Sequence, residues 1–494
     1  MKSKTGVVKI LLLILTFALT VSVLAGCKKN EPDPNTDSQA PADSGNEDIL
    51  YDENGYKKDS LPKLNYHGDD VTVLCWNAPR SEFETEYGDN VIDNAIFERN
   101  ATVEERIGIT LSFEETNGSV KYCGDYKQKV LNAYNGGDYW DIIASYTRST
   151  AICASAGLLK NLGGLQDSYL DFSQPWWSDD VIEKTSVGNT FYFATGDIST
   201  NLIQATYCMY FNADLVDDLR LSSPYDMVAN NEWTLDNMLT MTKDVYLSMD
   251  ENETVEVTDR VGIVGSYYAW PAILHGCGLP IVEKDAAGSF VMNAEYKGEK
   301  AMSIMNKIAD AISAKQVLVN ESSAGFVAGT NLFFIIDSGA GLNSFSDVDF
   351  EYGCVPMPKY TGEQETYYST VRQPITLYGM MLNLPTERVS EVSAVLECLA
   401  SEGYRQTTPV IFEECMKYLR STSPEMTEML QLIRDTAWFD CARIYAQETK
   451  YVCDAPGYVL QDGRTWENYI NDTIPTVEGY IKALSTKLLS VALQ

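Results

Sequence analysis

The order of segments between residues 71 and 144 restricts this chain to a narrow choice of folds. Residues 71–76 form a continuous apolar run, and residues 109–113 alternate apolar and polar side chains, so both predict β-strands. A short apolar strand follows at 141–144, and helical spacing of apolar residues fills the intervals at 92–107 and 126–131. This β-α-β-α-β order predicts an α/β fold with a largely parallel sheet covered by helices.

Residues with capping and breaking propensity mark the ends of these helices. Asp89 or Asn90 can cap the first helix, and Gly108 can end it. The glycine pair at 136 and 137 breaks the second helix before the next strand. The boundaries therefore agree with the apolar periodicity.

The same signals continue to the C-terminus. Strands are predicted at 206–212 and 332–336, and a helix at 235–245 follows a possible Thr234 cap. Apolar stripes at 304–312 and 392–399 have helical spacing, and the C-terminal third is mostly helical. The length suggests two or three lobes.

The N-terminus has the pattern of an export signal. Three lysines precede an uncharged apolar run at 10–23, which is too short for a comfortable membrane span and ends in Leu-Ala-Gly before Cys27. This ending resembles a lipobox, so residues 1–26 are predicted to be a lipoprotein signal peptide and Cys27 the lipidated residue. The protein is then expected on the extracytoplasmic face of the cell membrane, lipid-anchored. An ordinary secreted protein with a chance cysteine is the alternative.

A polar segment follows the predicted cleavage site. Residues 27–70 are rich in Asp, Glu, Pro, Ser and Asn and contain hardly any large aliphatic side chains. Such a segment cannot build a core. It is predicted to be a flexible acidic tether between the lipid and the folded part.

Charge and cysteine usage exclude some partners and cofactors. The formal net charge of −33 makes nucleic acid an unexpected partner, although it says little about the ligand. None of the ten cysteines after Cys27 forms a CxxC pair, and buried free thiols are expected. Because His67 and His275 are the only histidines, no histidine-rich metal site is expected, and no cofactor is predicted.

The usual catalytic motifs are missing from the sequence, which contains no GxSxG, SxxK, HExxH or phosphate-binding GxxxxGK[ST] pattern. His275 is expected at a helix end with a solvated or hydrogen-bonded imidazole. The 70 acidic residues supply any carboxylate spacing, so a glycosidase-like pair carries no information.

Aromatic residues are the more informative feature. The chain has 30 tyrosines and eight tryptophans, with clusters at 176–177, 267–270 and 367–368. Flat rings pack against the apolar faces of sugars, while polar neighbours bind the hydroxyl groups. Each aromatic residue can equally be a core residue, and Trp233 is predicted to be one.

Several segments, in the same order, resemble the extracellular solute-binding proteins of ABC transporters, the large family that includes maltose-binding protein. The resemblance extends from about Val71 to the C-terminus. It rests on the strings VTVLCWN, DII with GLL, YCMYFNADLV, EWTLDNML, YYAWPAILHGCG and YGCVPMPKYTGE.

This resemblance implies a two-lobed, periplasmic-binding-protein-like (type II) α/β fold with a helix-rich C-terminal part. Ligand would bind between the lobes, which close about a hinge. The implied division is lobe 1 at 71–205 and 331–376, lobe 2 at 206–330 and 377–494, and crossings near 206–210 and 330–336. The role of the helical insertion at 407–459 is left open.

The resemblance also implies a ligand-binding set on loops bordering the cleft. Its members are Trp76, Asn77, Arg80, Tyr146, Arg148, Tyr267, Trp270 and Arg372. Gln373 lies beside Arg372 at a return crossing. Arg148 or Arg372 could pair with an acidic sugar, or could equally brace the hinge.

The function implied is that of a monomeric, non-catalytic receptor. It would capture a carbohydrate, expected to be an oligosaccharide, and deliver it to the permease subunits of an ABC importer. Two alternatives stay open: a surface carbohydrate-degrading enzyme and a peptide-binding receptor.

Overall fold

The computed structural model describes residues 50–250, 252 and 254–492. The predicted signal peptide at 1–26, the predicted lipidation site Cys27 and the first part of the predicted tether lie outside the described residues. No helix among the described residues is long and apolar enough to cross a membrane.

The first sheet has four strands in the order β12-β3-β1-β2. Strand β1 pairs in parallel with both β2 and β3, while β12 runs antiparallel to β3. Its strands are β1 (Asp69–Trp76), β2 (Ile109–Thr116), β3 (Ile142–Tyr146) and β12 (Thr376–Met380). The largely parallel β-α-β-α-β arrangement predicted from the sequence is confirmed.

The helices that connect these strands begin and end at the residue types that the sequence marks. The side chain of Asn90, rather than Asp89, accepts hydrogen bonds from the backbone N–H groups of Ile92 and Asp93 at the start of helix α1 (Val91–Ile107). Gly108 ends this helix with φ of 70°, a conformation that favours glycine. The helix then buries Val103 and Ile107 in the same core cluster as Val71 and Val73 of the first sheet.

The second sheet has five strands in the order β10-β4-β9-β5-β8. Strand β4 runs antiparallel to both of its neighbours, and β5 is parallel to β8 and β9. Its strands are β4 (Tyr207–Asn212), β5 (Ile263–Gly265), β8 (Val317–Val319), β9 (Phe333–Asp337) and β10 (Tyr352–Val355).

Two short ribbons and the helices complete the fold. The ribbons pair β6 (Val282–Lys284) with β7 (Phe290–Met292), and β11 (Ser369–Thr370) with β13 (Ala437–Trp438). The α-helices are α1 (Val91–Ile107), α2 (Cys123–Gly136), α3 (Thr147–Ser155), α4 (Asp179–Thr185), α5 (Thr200–Gln204), α6 (Ala213–Asp218), α7 (Pro224–Ala229), α8 (Leu235–Met241), α9 (Pro271–Gly276), α10 (Glu299–Ser313), α11 (Ala324–Val327), α12 (Ser338–Ser344), α13 (Thr386–Glu402), α14 (Pro424–Asp435), α15 (Cys441–Ile444), α16 (Ala455–Gln461) and α17 (Trp466–Val491). Two π-helical segments, Gly403–Thr407 and Pro409–Leu419, follow α13.

The second crossing between the sheets differs from the predicted one. Strand β9 pairs with β4 and β5 inside the second sheet, so the crossing expected near 330–336 is not there. The chain returns where Val371 bridges Thr206 and the N–H of Arg372 donates to the carbonyl of Ala205, at 2.7 Å. The run at 332–336 predicted a buried strand correctly, but its apolar character carries no information about which sheet it joins.

The C-terminal part is shared between the sheets, which corrects the assignment of 377–494 to the second lobe. Strand β12 belongs to the first sheet, and α13 buries Val392 and Leu396 in the cluster that contains Trp76. Helix α17 contacts both α3, which follows a strand of the first sheet, and strand β7 of the β6–β7 ribbon. The predicted 71–205 and 331–376 division is likewise wrong for β9 and β10, which pair in the second sheet.

Part of the predicted tether is packed rather than free. Residues 50–68 form a strap along the first lobe, with Leu61, Leu64 and Tyr66 against its core. Asp59 is fully buried and pairs with Arg106 at 2.7 Å. The sequence pattern missed this because a few apolar contacts and the ion pairs of Asp59 with Arg106 and Arg405 hold the strap, without an apolar run.

All ten cysteines in the described part of the chain are buried and unpaired, as predicted. Trp233 is also a core residue, with its indole N–H donating to the carbonyl of Pro356 at 2.8 Å. The pair at 176–177 is buried too. The two indole N–H groups donate to the carboxylate oxygens of Glu397, at 3.0 and 2.9 Å.

Glu397 makes stability depend on pH. Burial raises the pKa of this carboxyl from 4.5 to about 7. As the pH rises through this window, the unfolded chain releases the proton before the folded chain does, so the free energy of unfolding falls, by about 3 kcal/mol in total. The free energy of unfolding, measured in urea at several pH values, should therefore vary less with pH in Glu397→Gln than in the wild type.

The control for this experiment is Glu183→Gln, because the Glu183 side chain is 71% exposed. In that variant the free energy of unfolding should depend on pH as it does in the wild type. An unchanged slope in Glu397→Gln would mean that Glu397 is ionised in the folded protein across the whole window.

Candidate functional site

The carboxyl ends of the parallel strands in both sheets lead to the region where the chain crosses between them. From the first sheet, β1 leads to Asn77 and β3 to Arg148. From the second sheet, β5 leads to Tyr267, and β9 ends at Asp337. Open α/β sheets bind ligands at such strand ends, because loops rather than paired backbone form the surface there.

A group of four tyrosines lies in this region and is called the tyrosine patch: Tyr267, Tyr268, Tyr451 and Tyr458. The ring of Tyr267 lies 3.8 Å from that of Tyr268 and 5.0 Å from that of Tyr458, centroid to centroid. Tyr451 and Tyr458 line one small cavity of about 170 Å³. They are 44% and 42% exposed, so ring surface is available to a ligand.

A close backbone approach sets the position of Tyr458. A Cβ atom at Gly457 would lie 1.8 Å from the carbonyl oxygen of Tyr267, which is too close for any side chain. Only glycine therefore allows α16 to pack against the loop after β5. This packing aligns the rings of Tyr267 and Tyr458.

The phenols of Tyr267, Tyr451 and Tyr458 are uncharged. Burial, together with hydrogen bonding and charge interaction with Tyr268, raises the pKa of Tyr267. Burial also raises the pKa of Tyr451 and of Tyr458. The patch is therefore a neutral aromatic surface that carries hydroxyl groups.

Arg148 lies beneath Tyr451 and is already paired. Its guanidinium carbon is 5.3 Å from the centre of the Tyr451 ring, and its Nη2 donates to Asp454 Oδ2 at 2.7 Å. Both charged side chains are almost completely buried. Burial lowers the pKa of Arg148, but Cys453, Tyr146 and Asp454 raise it more, so the guanidinium stays charged.

Gln373 completes the surroundings of this ion pair. Its Oε1 accepts from Arg148 at 2.8 Å, and its Nε2 donates to the carbonyl of Arg443 at 3.1 Å. The return crossing is thus tied to both α3 and α15. Arg148 braces the protein and has no free charge for an acidic sugar.

A second ion-pair group joins the two sheets directly. Asp337, fully buried at the end of β9, accepts from Arg80 Nη2 at 2.7 Å and from Arg372 Nη1. Its Oδ1 also caps α12 by accepting from the N–H of Ala340. Arg80 follows a strand of the first sheet and Arg372 lies at the crossing, so Asp337 holds the sheets together in this conformation.

Three of the predicted ligand-binding residues are core residues. Trp270 is fully buried and donates its indole N–H to the carbonyl of Gly265 at 2.9 Å. Trp76 is 2% exposed and donates to Thr376 Oγ1 at 2.8 Å, with its ring 5.4 Å from that of buried Tyr146. Buried rings with satisfied polar atoms do not stack on a ligand.

Of the remaining predicted residues, Tyr267 belongs to the patch and Asn77 is exposed. Asn77 lies at the end of β1, where its amide bonds to Asn117 at 3.2 Å. Arg80, Arg148 and Arg372 are near the site but are occupied by carboxylates.

The sequence reasoning missed Tyr451, Asp454 and Tyr458. All three lie in the segment at 407–459 whose role was left open. One signal was present in the sequence: two tyrosines on either side of a Pro-Gly pair. Pairing with Arg148, 306 residues earlier, has no local signature.

His275 lies at the end of α9, as predicted, and is buried. Its Nδ1 is 3.0 Å from the hydroxyl of Thr370. Burial lowers its pKa, and the charge of Arg443 lowers it further, so the imidazole is neutral.

Comparison with known proteins finds similarity to solved structures but no match in sequence. No protein-family model matches the chain, and neither does any curated protein. Solved structures do match. A cyclo/maltodextrin-binding protein complexed with maltotetraose is 14% identical over 86% of this chain and 99% of its own, with a TM-score of 0.55.

Two further structures match to a similar extent. An ABC substrate-binding protein from Listeria monocytogenes in complex with cycloalternan is 12% identical, over 83% of this chain and 98% of its own, with a TM-score of 0.53. A cyclic α-maltosyl-1,6-maltose binding protein from Arthrobacter globiformis is 13% identical, over 85% and 99%, with a TM-score of 0.57. At this identity the likeness concerns the fold, and it confirms the two-lobed α/β fold that the sequence predicted.

Proposed function

We propose that this protein is a solute-binding protein of an ABC importer and that its ligand is an uncharged oligosaccharide. The observation that carries the proposal is the tyrosine patch, which combines exposed aromatic rings with uncharged hydroxyl groups beside the crossing between the sheets. Aromatic faces pack against the C–H faces of pyranose rings, and the hydroxyls bind their rims.

The ion pairs around the patch favour an uncharged ligand. Arg148 is neutralised by Asp454, while Arg80 and Arg372 share Asp337. An acidic sugar that bound Arg148 would have to displace the buried carboxylate of Asp454, which would then lose its partner in a dry environment. An uncharged sugar leaves both groups intact.

The solved structures with this fold support the same ligand class. Two of them contain maltotetraose and cycloalternan, and the third is described as binding a cyclic maltosyl-maltose. These ligands are uncharged glucose oligosaccharides. We carry the class over to this chain, and not the particular sugar.

The remaining parts of the proposal concern transport. The lobes close on the sugar by a hinge movement and present it to permease subunits without chemical turnover. A lipid on Cys27 holds the protein on the outer face of the membrane, where it keeps the binding domain at high local concentration beside the transporter.

The proposal is tested by calorimetric titration with maltotetraose, cycloalternan and a panel of other uncharged oligosaccharides. Tyr458→Ala should weaken binding by about tenfold to a hundredfold, since each ~1.4 kcal/mol of lost contact is a factor of ten. The matched control is Tyr418→Ala, because Tyr418 is 83% exposed on another segment. That control should bind as the wild type does.

Two results would contradict the proposal. One is equal binding by Tyr458→Ala and the control, which would place the ligand elsewhere. The other is sustained release of reducing ends from the sugar by the purified protein, which would identify an enzyme.

A further inference from the structure

A second cavity lies away from the tyrosine patch and shares no lining residue with it. It has a volume of about 560 Å³. Its walls come from α4, from the loop after α9, from the β6–β7 ribbon and from the β11–β13 ribbon. This volume is within the range of sites for small organic ligands.

The floor of the cavity is a fixed aromatic pair. The ring of Trp438 lies 5.7 Å from that of Tyr368, and its other neighbour is the imidazole of His275, at 4.8 Å and nearly perpendicular. Both Trp438 and Tyr368 are partly exposed. The neighbouring rings hold the indole in place, so a ligand meets a preformed flat surface.

Trp438 differs from five of the buried tryptophans in the hydrogen bonding of its indole N–H group. The indole N–H groups of Trp76, Trp176, Trp177, Trp233 and Trp270 all donate within the protein. No partner for the Trp438 indole N–H is found among the described residues. An aromatic face with an open donor is suited to a ligand that has both C–H faces and hydroxyl groups.

The lining of the cavity carries charges of both signs, three carboxyl groups and two ammonium groups. Asp180 accepts the backbone N–H of Phe439 at 2.8 Å, and its Oδ1 is 3.9 Å from Lys184 Nζ. Lys284, on the opposite wall, donates to the carbonyl of Glu183 and to Ser186 Oγ. A carboxylate and an ammonium on one rim bind hydroxyl groups as acceptor and donor, and the excess of one carboxyl group in the lining disfavours an anionic ligand.

We infer that this cavity is a second carbohydrate site, which takes an uncharged hexopyranoside of one or two sugar units. The sugar stacks on Trp438, and its hydroxyl groups bind Asp180 and Lys184. The site is independent of the proposed function, since no residue of the tyrosine patch takes part in it.

The test is ¹⁹F NMR of the protein labelled with 5-fluorotryptophan. Trp438→Phe identifies the Trp438 resonance. Methyl α-D-glucopyranoside, methyl β-D-galactopyranoside and maltose are then titrated into the wild type and into Tyr458→Ala. We expect a saturable shift of the Trp438 resonance with at least one of these sugars in both proteins.

Asp180→Asn supplies the matched variant. It keeps an oxygen for the N–H of Phe439 but loses the charged acceptor, and it should raise the dissociation constant by about tenfold. A melting curve equal to that of the wild type shows that the variant is folded.

Two outcomes would overturn the inference. The first is that none of the three sugars shifts the Trp438 resonance. The second is that the resonance shifts in the wild type but not in Tyr458→Ala. In the second case it reports movement of the lobes caused by binding at the patch. Failure of binding at the patch would appear separately, as loss of the Tyr458-dependent calorimetric signal.

Discussion

Replacing Arg148 by methionine is expected to lower the free energy of unfolding by about 3–5 kcal/mol. The change leaves the carboxylate of Asp454 buried, at 3% exposure, with no compensating charge. It also removes the hydrogen bond to Gln373 and the contact with the ring of Tyr451. Urea unfolding followed by circular dichroism measures the effect.

A double-mutant cycle distinguishes the ion pair from packing. Asp454→Leu alone should cost a similar amount, whereas the double variant Arg148→Met with Asp454→Leu should recover much of the loss, because no unpaired charge is left. If the two single effects simply add, the pair contributes through packing alone, and the interpretation of Arg148 as a neutralised brace fails.

Asp337→Asn is expected to separate the two sheets more than any other single change. The asparagine oxygen can still cap α12, but the negative charge that Arg80 and Arg372 share is gone. We expect a loss of about 2–3 kcal/mol of stability and a larger radius of gyration in small-angle X-ray scattering, since two cations then face each other across the crossing.

The control is an exposed ion pair of the same type. Arg464 and Asp472 are 44% and 68% exposed, so Asp472→Asn should change stability by less than about 0.5 kcal/mol. A radius of gyration that is unchanged in Asp337→Asn would mean that the hinge is held by the paired backbone of the crossing strands.

Local signals in the sequence were sufficient to predict the helices and strands. They were insufficient to predict which sheet each strand joins. Asn90, Gly108 and Gly137 define helix ends because capping depends on one residue and its immediate neighbours. The membership of β9 depends on pairing with a strand more than 100 residues earlier, and its apolar run would suit either sheet. The predicted second crossing was wrong for this reason.

In the candidate site, too, local signals indicated some residues, while the positions of others depend on long-range packing. Tyr267 was predicted because it lies in a conspicuous aromatic string, and the same string also suggested Trp270, which faces the core. Whether a ring next to a strand points to solvent or inward follows from the register of that strand. Tyr458 and Asp454 reach the site only through the packing of α16, made possible by the missing side chain of Gly457.

The strap at 50–68 determines how the protein would carry mechanical load. Asp59 fastens this segment to Arg106 of α1 and to Arg405 in the π-helical segment after α13. A pull applied at residue 50 is therefore taken up by the first lobe, and the second lobe carries none of it directly. In the lipid-anchored arrangement proposed above, the tether would join the first lobe only, so the second lobe could move about the hinge without straining the tether.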